Sequence, residues 1–208
     1  MQADTVTDSR QRRVLGWLRR EAVPLLVLVL LLTAARSSLA NHYHVPSGSM
    51  QPALQPGDRV VVDMRAYGWR LPFTTRDLVA VADPAPGDVV VFDSPADGTR
   101  LIKRVAAVGG QQVEVRDGRL LVAGQPAPAQ ASLAEQLGDR RIALDLTRGG
   151  GADFGPLRVP EGEVLVLGDH RGASFDGRYF GLVPVDAFYG RAVAVYHRRG
   201  EGFGWRRL

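Results

Sequence analysis

The sequence contains no cysteine. Disulfides, thiolate zinc sites, iron–sulfur clusters and a cysteine nucleophile are therefore excluded. Lysine is almost absent too. Of 26 basic side chains, 25 are arginine and only Lys103 is lysine. A guanidinium keeps its proton in a protein, whereas a buried ammonium can lose it. The lone lysine is either the remnant of an arginine-biased composition or a residue placed where arginine chemistry would fail. Histidine is scarce, with four residues. There is no His-x-x-x-His pair and no other metal-ligand spacing, so no metal is expected.

What is present is the balance of a folded protein: 45% hydrophobic and 23% charged residues in 208. That length suits one domain with an appendage, or two very small domains. The net charge of +4 sits at the ends. Residues 1–21 carry five arginines against Asp4, Asp8 and Glu21, and residues 198–208 carry four against Glu201, leaving the middle near neutrality. A nucleic-acid binder would carry a basic stripe on its fold. Basic ends fit contact with a lipid bilayer better, and no nucleic-acid partner is expected.

The run Ala22–Ala35 has no charge, and extension to Leu39 gives 18 residues, about 27 Å of helix. Arg36 can snorkel to the far interface, and Trp17 sits at an interfacial position. The division is therefore a basic cytoplasmic N-terminus (1–21), a transmembrane anchor (22–39) and an extracytoplasmic domain (40–208). A cleaved signal peptide is the rival, since Ser38-Leu39-Ala40 has suitable small residues. In either case Arg10, Arg12, Arg13, Arg19 and Arg20 hold the N-terminus in the cytoplasm.

Beyond residue 44 the pattern is short β-type runs between Gly, Pro and Asp. Strands are predicted at Arg59–Met64, Val89–Asp93, Leu101–Val108, Val113–Arg116, Arg119–Val122, Val164–Leu167 and Ala192–Tyr196. Asp117-Gly118 predicts a type I′ hairpin turn. Pro56-Gly57-Asp58 and Pro86-Gly87-Asp88 each precede a Val-rich run, which is repeated turn chemistry rather than a domain repeat. Residues 124–157 break the pattern and read as a surface insertion. Within it, Ser132–Gly138 reads as a short helix capped by Ser132 and Glu135, and Gly149–Gly151 as a flexible joint. The expected class is mainly β: an antiparallel β-sheet domain behind one N-terminal transmembrane helix.

Three segments carry chemistry. Pro46-Ser47-Gly48-Ser49-Met50-Gln51-Pro52 offers two hydroxyls, and a serine nucleophile needs an adjacent base. His42, His44, His170 and His197 are poor candidates for that base, although the members of a Ser-His-Asp triad can lie far apart in sequence. In Leu101-Ile102-Lys103-Arg104-Val105, strand alternation puts Lys103 on one face with Leu101 and Val105. An ammonium buried there loses solvation, and its pKa falls toward neutrality, as a general base requires. An edge-strand lysine with its head in water is the alternative. Gly168–Gly181 (GDHRGASFDGRYFG) is dense in glycine, charge and hydroxyl. Asp–Arg pairs would hold such a loop, and Ser174 offers a neutral hydroxyl to a neutral amine.

Val45–Asp58, Gly87–Phe92 (GDVVVF), Leu101–Val105 (LIKRV) and Gly168–Gly181, in that order behind an apolar segment, resemble the type I signal peptidases, which are Ser/Lys peptidases. The resemblance spans roughly residues 40–197, with 124–157 unmatched in detail. It implies Ser49 as nucleophile and Lys103 as its general base. It implies an oxyanion hole from Ser47 and the Ser49 backbone N–H, with Ser174 orienting Lys103. It implies Arg104, Asp176 and Arg178 as structural support, and no cofactor. Exported precursor proteins with signal peptides would be the substrates, cleaved by an enzyme of the cytoplasmic membrane. His170 and Gly177 stand where the family has Asn and Ser, and residues 106–111 depart from its usual V-x-G-x-P-G-D. These departures touch the groove, and they keep open a dedicated pilin- or conjugation-type maturation peptidase. A self-cleaving repressor would need a DNA-binding module that residues 1–44 do not supply. A non-catalytic envelope domain would need neither Ser49 nor Lys103.

Overall fold

The computed structural model describes residues 16–70, 77–80, 82–126 and 133–208. Arg10, Arg12 and Arg13 of the basic N-terminus, and the expected cap Ser132, lie outside the described residues. A five-residue π segment, Leu18–Ala22, runs into a 17-residue α-helix, Val23–Leu39. Pro24 sits in the first turn of that helix, where a missing N–H costs nothing. The side chains of Val23 and Leu25–Leu30 are all exposed, so this stretch of the helix packs no apolar face on the domain. At 1.5 Å per residue it is about 25 Å long. Among the described residues, no helix is long and apolar enough to cross a membrane.

The named strands that follow all pair antiparallel. The strands are β1 (Ala40–His44), β2 (Arg59–Asp63), β3 (Gly68–Arg70), β4 (Asp77–Ala80), β5 (Val89–Asp93), β6 (Arg100–Val108), β7 (Gln112–Arg116) and β8 (Arg119–Val122). They continue as β9 (Gln125–Pro126), β10 (Ala134–Leu137), β11 (Arg140–Ala143), β12 (Phe154–Arg158), β13 (Glu163–Leu167), β14 (Val183–Pro184), β15 (Phe188–Arg198) and β16 (Gly202–Arg207). The main sheet runs β1-β2-β15-β5-β6-β13-β14. The long strand β15 gives one edge to β2 and shares the other between β5, at Phe188–Ala192, and β16, at Ala194–Arg198. A four-stranded sheet, β12-β7-β8-β9, and the hairpins β10-β11 and β3-β4 complete the set.

Alternation divides the apolar residues between the sheet faces. Val60, Val62, Val89, Val91 and Ala192 pack with Val45, Met50 and Leu54 on one side. Val90, Phe92, Val105, Val164, Val166 and Phe188 pack on the other. All seven expected strands are present, and Asp117 and Gly118 both have positive φ, 51° and 75°, as a type I′ turn requires. The two Pro-Gly-Asp segments form the same turn. Gly57 and Gly87 share φ 94°, and Asp58 and Asp88 each donate N–H to the carbonyl three residues back at 3.0 Å. Proline at the second position and glycine at φ > 0 in the third are the type II requirements.

Residues 124–157 correct the sequence expectation. Ala134–Leu137 is a strand, not a helix, and it pairs with Arg140–Ala143 across the two-residue connection Gly138-Asp139. Glu135 is not a cap but a buried carboxylate, 2% exposed. Leu137, Ile142 and Leu144 enter a core with Val113, Val115, Leu120, Leu165 and Leu167, so the segment is not a surface addition. Gly150 and Gly151 are packed rather than parts of a free joint, while Gly149 is exposed with open space around it. The Gly150 carbonyl accepts from Arg178, and a Cβ at Gly150 would strike the Asp117 backbone.

Candidate active site

Ser49 follows a short connection from β1 and is held from below. Met50 and Leu54 are fully buried next to it, and the Leu54 N–H donates to the Met50 carbonyl at 2.9 Å. Burying two such side chains is worth about 1.5–3 kcal/mol each, which fixes the backbone around the hydroxyl. The carbonyl of Ser49 accepts the His170 N–H at 3.1 Å, tying this turn to the loop after β13.

Lys103 lies mid-strand in β6, on the face shared with Leu101 and Val105, as alternation requires. It is 2% exposed, and its Nζ donates to Ser49 Oγ at 2.7 Å. Desolvation by burial lowers its pKa from 10.5 to about 8, with Asp176 and Asp169 opposing and Arg178 assisting the fall. An amine with that pKa spends a sizeable fraction of time neutral at physiological pH and can then accept a proton from the hydroxyl it touches. Ser47, exposed, donates its hydroxyl to Ser49 Oγ at 3.3 Å.

The two Pro-Gly-Asp turns each steady one member of this pair. Gly57 N–H donates to the Val45 carbonyl and Val45 N–H to the Asp58 carbonyl, both at 2.9 Å, just before the serines. Gly87 N–H donates to the Val105 carbonyl and Val105 N–H to the Asp88 carbonyl, both at 2.8 Å, two residues after the lysine. Each aspartate is buried and charge-paired, Asp58 with Arg198 and Asp88 with Arg140 and Arg191.

The loop 168–181 is braced by three buried ion pairs. Asp176 and Arg178 pair through Arg178 Nε at 2.8 Å and Nη2 at 2.9 Å. Asp176 also accepts the Gly168 N–H at 2.9 Å and caps the short helix Gly177–Phe180. Burial pushes its carboxyl up, but Arg178 and the Gly168 N–H outweigh this and hold it below its usual value. Arg104 does not reach Asp176. It makes a two-pronged pair with Asp169 at 2.8 and 2.7 Å and donates to the Gly87 carbonyl. The third pair, Arg171–Glu135, was not foreseen from sequence, and both partners are at most 2% exposed.

Ser174 departs from its expected role. Its hydroxyl is buried and makes no hydrogen bond to Lys103. It lies close enough to Asp176 to help keep that carboxyl ionised, and it packs directly on the Gly168 Cα. His170 is buried with both ring nitrogens unpartnered, and Nδ1 lies 3.6 Å from Asp145 Oδ2. His42 and His44 are exposed, and His197 sits edge-on to Phe203 far along β15. No cluster of metal-ligating side chains occurs among the described residues. A pocket of about 260 Å³ lies between the segment that precedes Ser47 and the start of β6, lined mainly by Tyr43, Val45, Pro46, Val91, Leu101 and Ile102, with His44 and Arg100 also on its wall.

A serine hydroxyl and a buried amine in hydrogen-bond contact on an antiparallel sheet define a protein of the serine-hydrolase class. Comparison with known proteins narrows the class. Residues 18–197 match the family model described as signal peptidase, peptidase S26. Signal peptidase I of Pseudomonas fluorescens is 34% identical over 199 residues, covering 83% of this chain and 69% of that protein. A probable signal peptidase I-2 of Synechocystis is 31% identical over 175 residues, covering 81% and 68%. A solved signal peptidase I from Enterococcus faecalis is 30% identical, covering 54% of this chain and 98% of that one with a TM-score of 0.38. The chain belongs to the signal peptidase S26 family and is a serine endopeptidase.

Proposed function

We propose that the protein cleaves N-terminal signal peptides from exported precursors, with Ser49 as nucleophile and Lys103 as general base. The observation that carries this is the 2.7 Å contact between a buried Lys103 Nζ and Ser49 Oγ. Neutral Lys103 takes the Ser49 proton as Oγ attacks the scissile carbonyl. The proton then passes to the departing amine, leaving an acyl-enzyme. Lys103 next deprotonates a water that attacks the ester, and Ser49 regains its proton as the mature chain's partner, the cut signal peptide, departs. In this reading the Ser47 hydroxyl and the Ser49 N–H receive the oxyanion, worth about 2.7–4 kcal/mol per donor in such sites. Ser174 shapes the floor through Gly168, and Arg104, Asp176 and Arg178 hold the loop. The mainly apolar pocket between Pro46 and Ile102 takes a side chain of the substrate ahead of the cut.

The same proposal places the enzyme in the cytoplasmic membrane with the β domain outside. The support is the exposed apolar surface of Val23–Leu30, on a helix joined without a break to the π segment that carries Arg19 and Arg20. Water-exposed leucines on every side are costly, whereas lipid solvates them. The test is incubation of the full chain in detergent with a panel of exported precursors, wild type beside Ser49→Ala. Cleavage at the precursor junction by wild type alone is expected. Equal processing by both, or none by either, would overturn the reading.

A further inference from the structure

The buried pair Glu135–Arg171 stands outside the reacting groups, yet it reaches them in two steps. Glu135 projects from β10 and accepts from Arg171 Nη2 at 2.8 Å with one oxygen. Its other oxygen takes the Leu120 N–H at 2.8 Å and Arg171 Nη1 at 3.3 Å. Arg171 Nε donates to the Gly168 carbonyl at 2.9 Å, and Nη1 to the Gly118 carbonyl. The Arg171 backbone is gripped as well. Its N–H donates to the Asp145 carbonyl at 3.0 Å, and its carbonyl accepts from Arg178 at 2.6 Å.

Gly168 is where this clamp meets the site. Its N–H is held by Asp176 and its carbonyl by Arg171. A Cβ at this position would collide with Ser174 Oγ and would lie 2.5 Å from the Ser49 carbonyl oxygen. Gly168 is thus a spacer with no slack between the loop and the Ser49 backbone. A shift of its peptide moves Ser49 relative to Lys103. Arg171 can fix that peptide only while its guanidinium is itself fixed, and Glu135 supplies this from a separate hairpin.

We infer that Glu135 is a positioning residue for the reaction at Ser49, acting through Arg171 and Gly168; this rests on the Ser49–Lys103 assignment above. The hairpin β10-β11 then serves as a brace for the reaction loop. A buried pair that served stability alone could be exchanged for apolar residues at little cost to the fold, and with no cost to the chemistry. A brace could not.

The experiment measures kcat and KM per folded molecule on a peptide spanning a cleavage site. The full chain is used in detergent, below every variant's unfolding temperature. Glu135→Gln is expected to lower kcat about 10- to 100-fold, the cost of a misplacement on the order of 1 Å, while leaving KM within about twofold. The double variant Glu135→Leu with Arg171→Met removes the unpaired charge and decides the case if Glu135→Gln does not fold. It is expected to fold and to keep the kcat loss. Ile142→Ala, on the same hairpin, loses comparable core packing and is expected to keep kcat. A double variant with wild-type kcat, or an equal kcat loss in Ile142→Ala, would overturn the inference. Ser49→Ala in the same series separates the two levels. Activity in that variant would sink the serine–lysine assignment, whereas a dead Ser49→Ala beside an unaffected Glu135→Gln would sink only the role of Glu135.

Discussion

Replacing Lys103 by methionine should make the protein more stable and inactive at once. The two side chains are close in length and volume, so the substitution removes a charge without opening a cavity. Burial lowers the lysine pKa from 10.5 to about 8. That drop corresponds to about 3 kcal/mol by which the native state disfavours the protonated amine. The sign follows from proton linkage. Between pH 8 and 10.5 the unfolded chain still binds the proton and the native chain does not, so wild-type stability rises with pH through this window. Below about 8 the cost is fully present, and above 10.5 it is gone. Methionine removes the cost but also the hydrogen bond to Ser49, worth about 1 kcal/mol. The net gain at pH 6.5 is therefore about 2 kcal/mol, shrinking to nothing or slightly below zero above pH 10.5. Urea unfolding of the full chain in detergent, followed by tryptophan fluorescence at the two pH values, measures it. A Lys103→Met variant less stable than wild type at pH 6.5, or a gain that does not change with pH, would refute the argument that desolvation sets this amine.

Cleavage by wild type should rise about tenfold per pH unit below 8 and level off above it, because only the neutral amine accepts the serine proton; a flat profile between pH 6 and 8 would exclude Lys103 as base. Lys103→Arg should fold and lose at least the 10²- to 10⁴-fold that a general base contributes, as read by peptide cleavage. Gly150→Ala should lower the unfolding midpoint, because its Cβ has nowhere to go beside Asp117 and Arg178 holds the adjacent carbonyl; calorimetry on the full chain reads the shift. The full-length chain should stay with membranes through carbonate washing, and a soluble fragment starting near Asn41 would contradict the anchor.

The seven expected strands were legible because they join apolar, often β-branched runs to turns with their own chemistry; short strands such as Gly68–Arg70 and the exposed Phe154–Arg158 and Gly202–Arg207 carry no such signal. Val89-Val90-Val91 after Pro86-Gly87-Asp88 needs no tertiary context to be read. Lys103 was legible through the family resemblance, which puts a lysine at this position; its rarity in an arginine-rich chain and the strand alternation agreed but did not decide. The hairpin β10-β11 was not legible. Ser132 and Glu135 have the spacing of a capping box, and this local signal masked Gly138-Asp139, which is an equally good hairpin turn. What settled the competition was Arg171, 36 residues away, whose buried guanidinium needs the Glu135 carboxylate. No window on the sequence contains both. Ser174 differs in another way: it lies beside Gly168 and near Asp176, and it makes no hydrogen bond to the amine.

A single buried lysine also makes the protein its own reporter. Growth on ¹⁵N-labelled lysine would place one side-chain nitrogen signal in the whole molecule, and that signal would belong to the amine at Ser49. Its chemical shift could be followed through a pH titration, with substrate analogues or in lipid, without any mutation or assignment. Amine-selective acylation would offer a slower version of the same measurement, since one side chain accounts for all lysine labelling and its burial sets the rate. The bias toward arginine has cleared the spectrum in advance, so the protonation state of the reacting amine can be watched without altering the sequence.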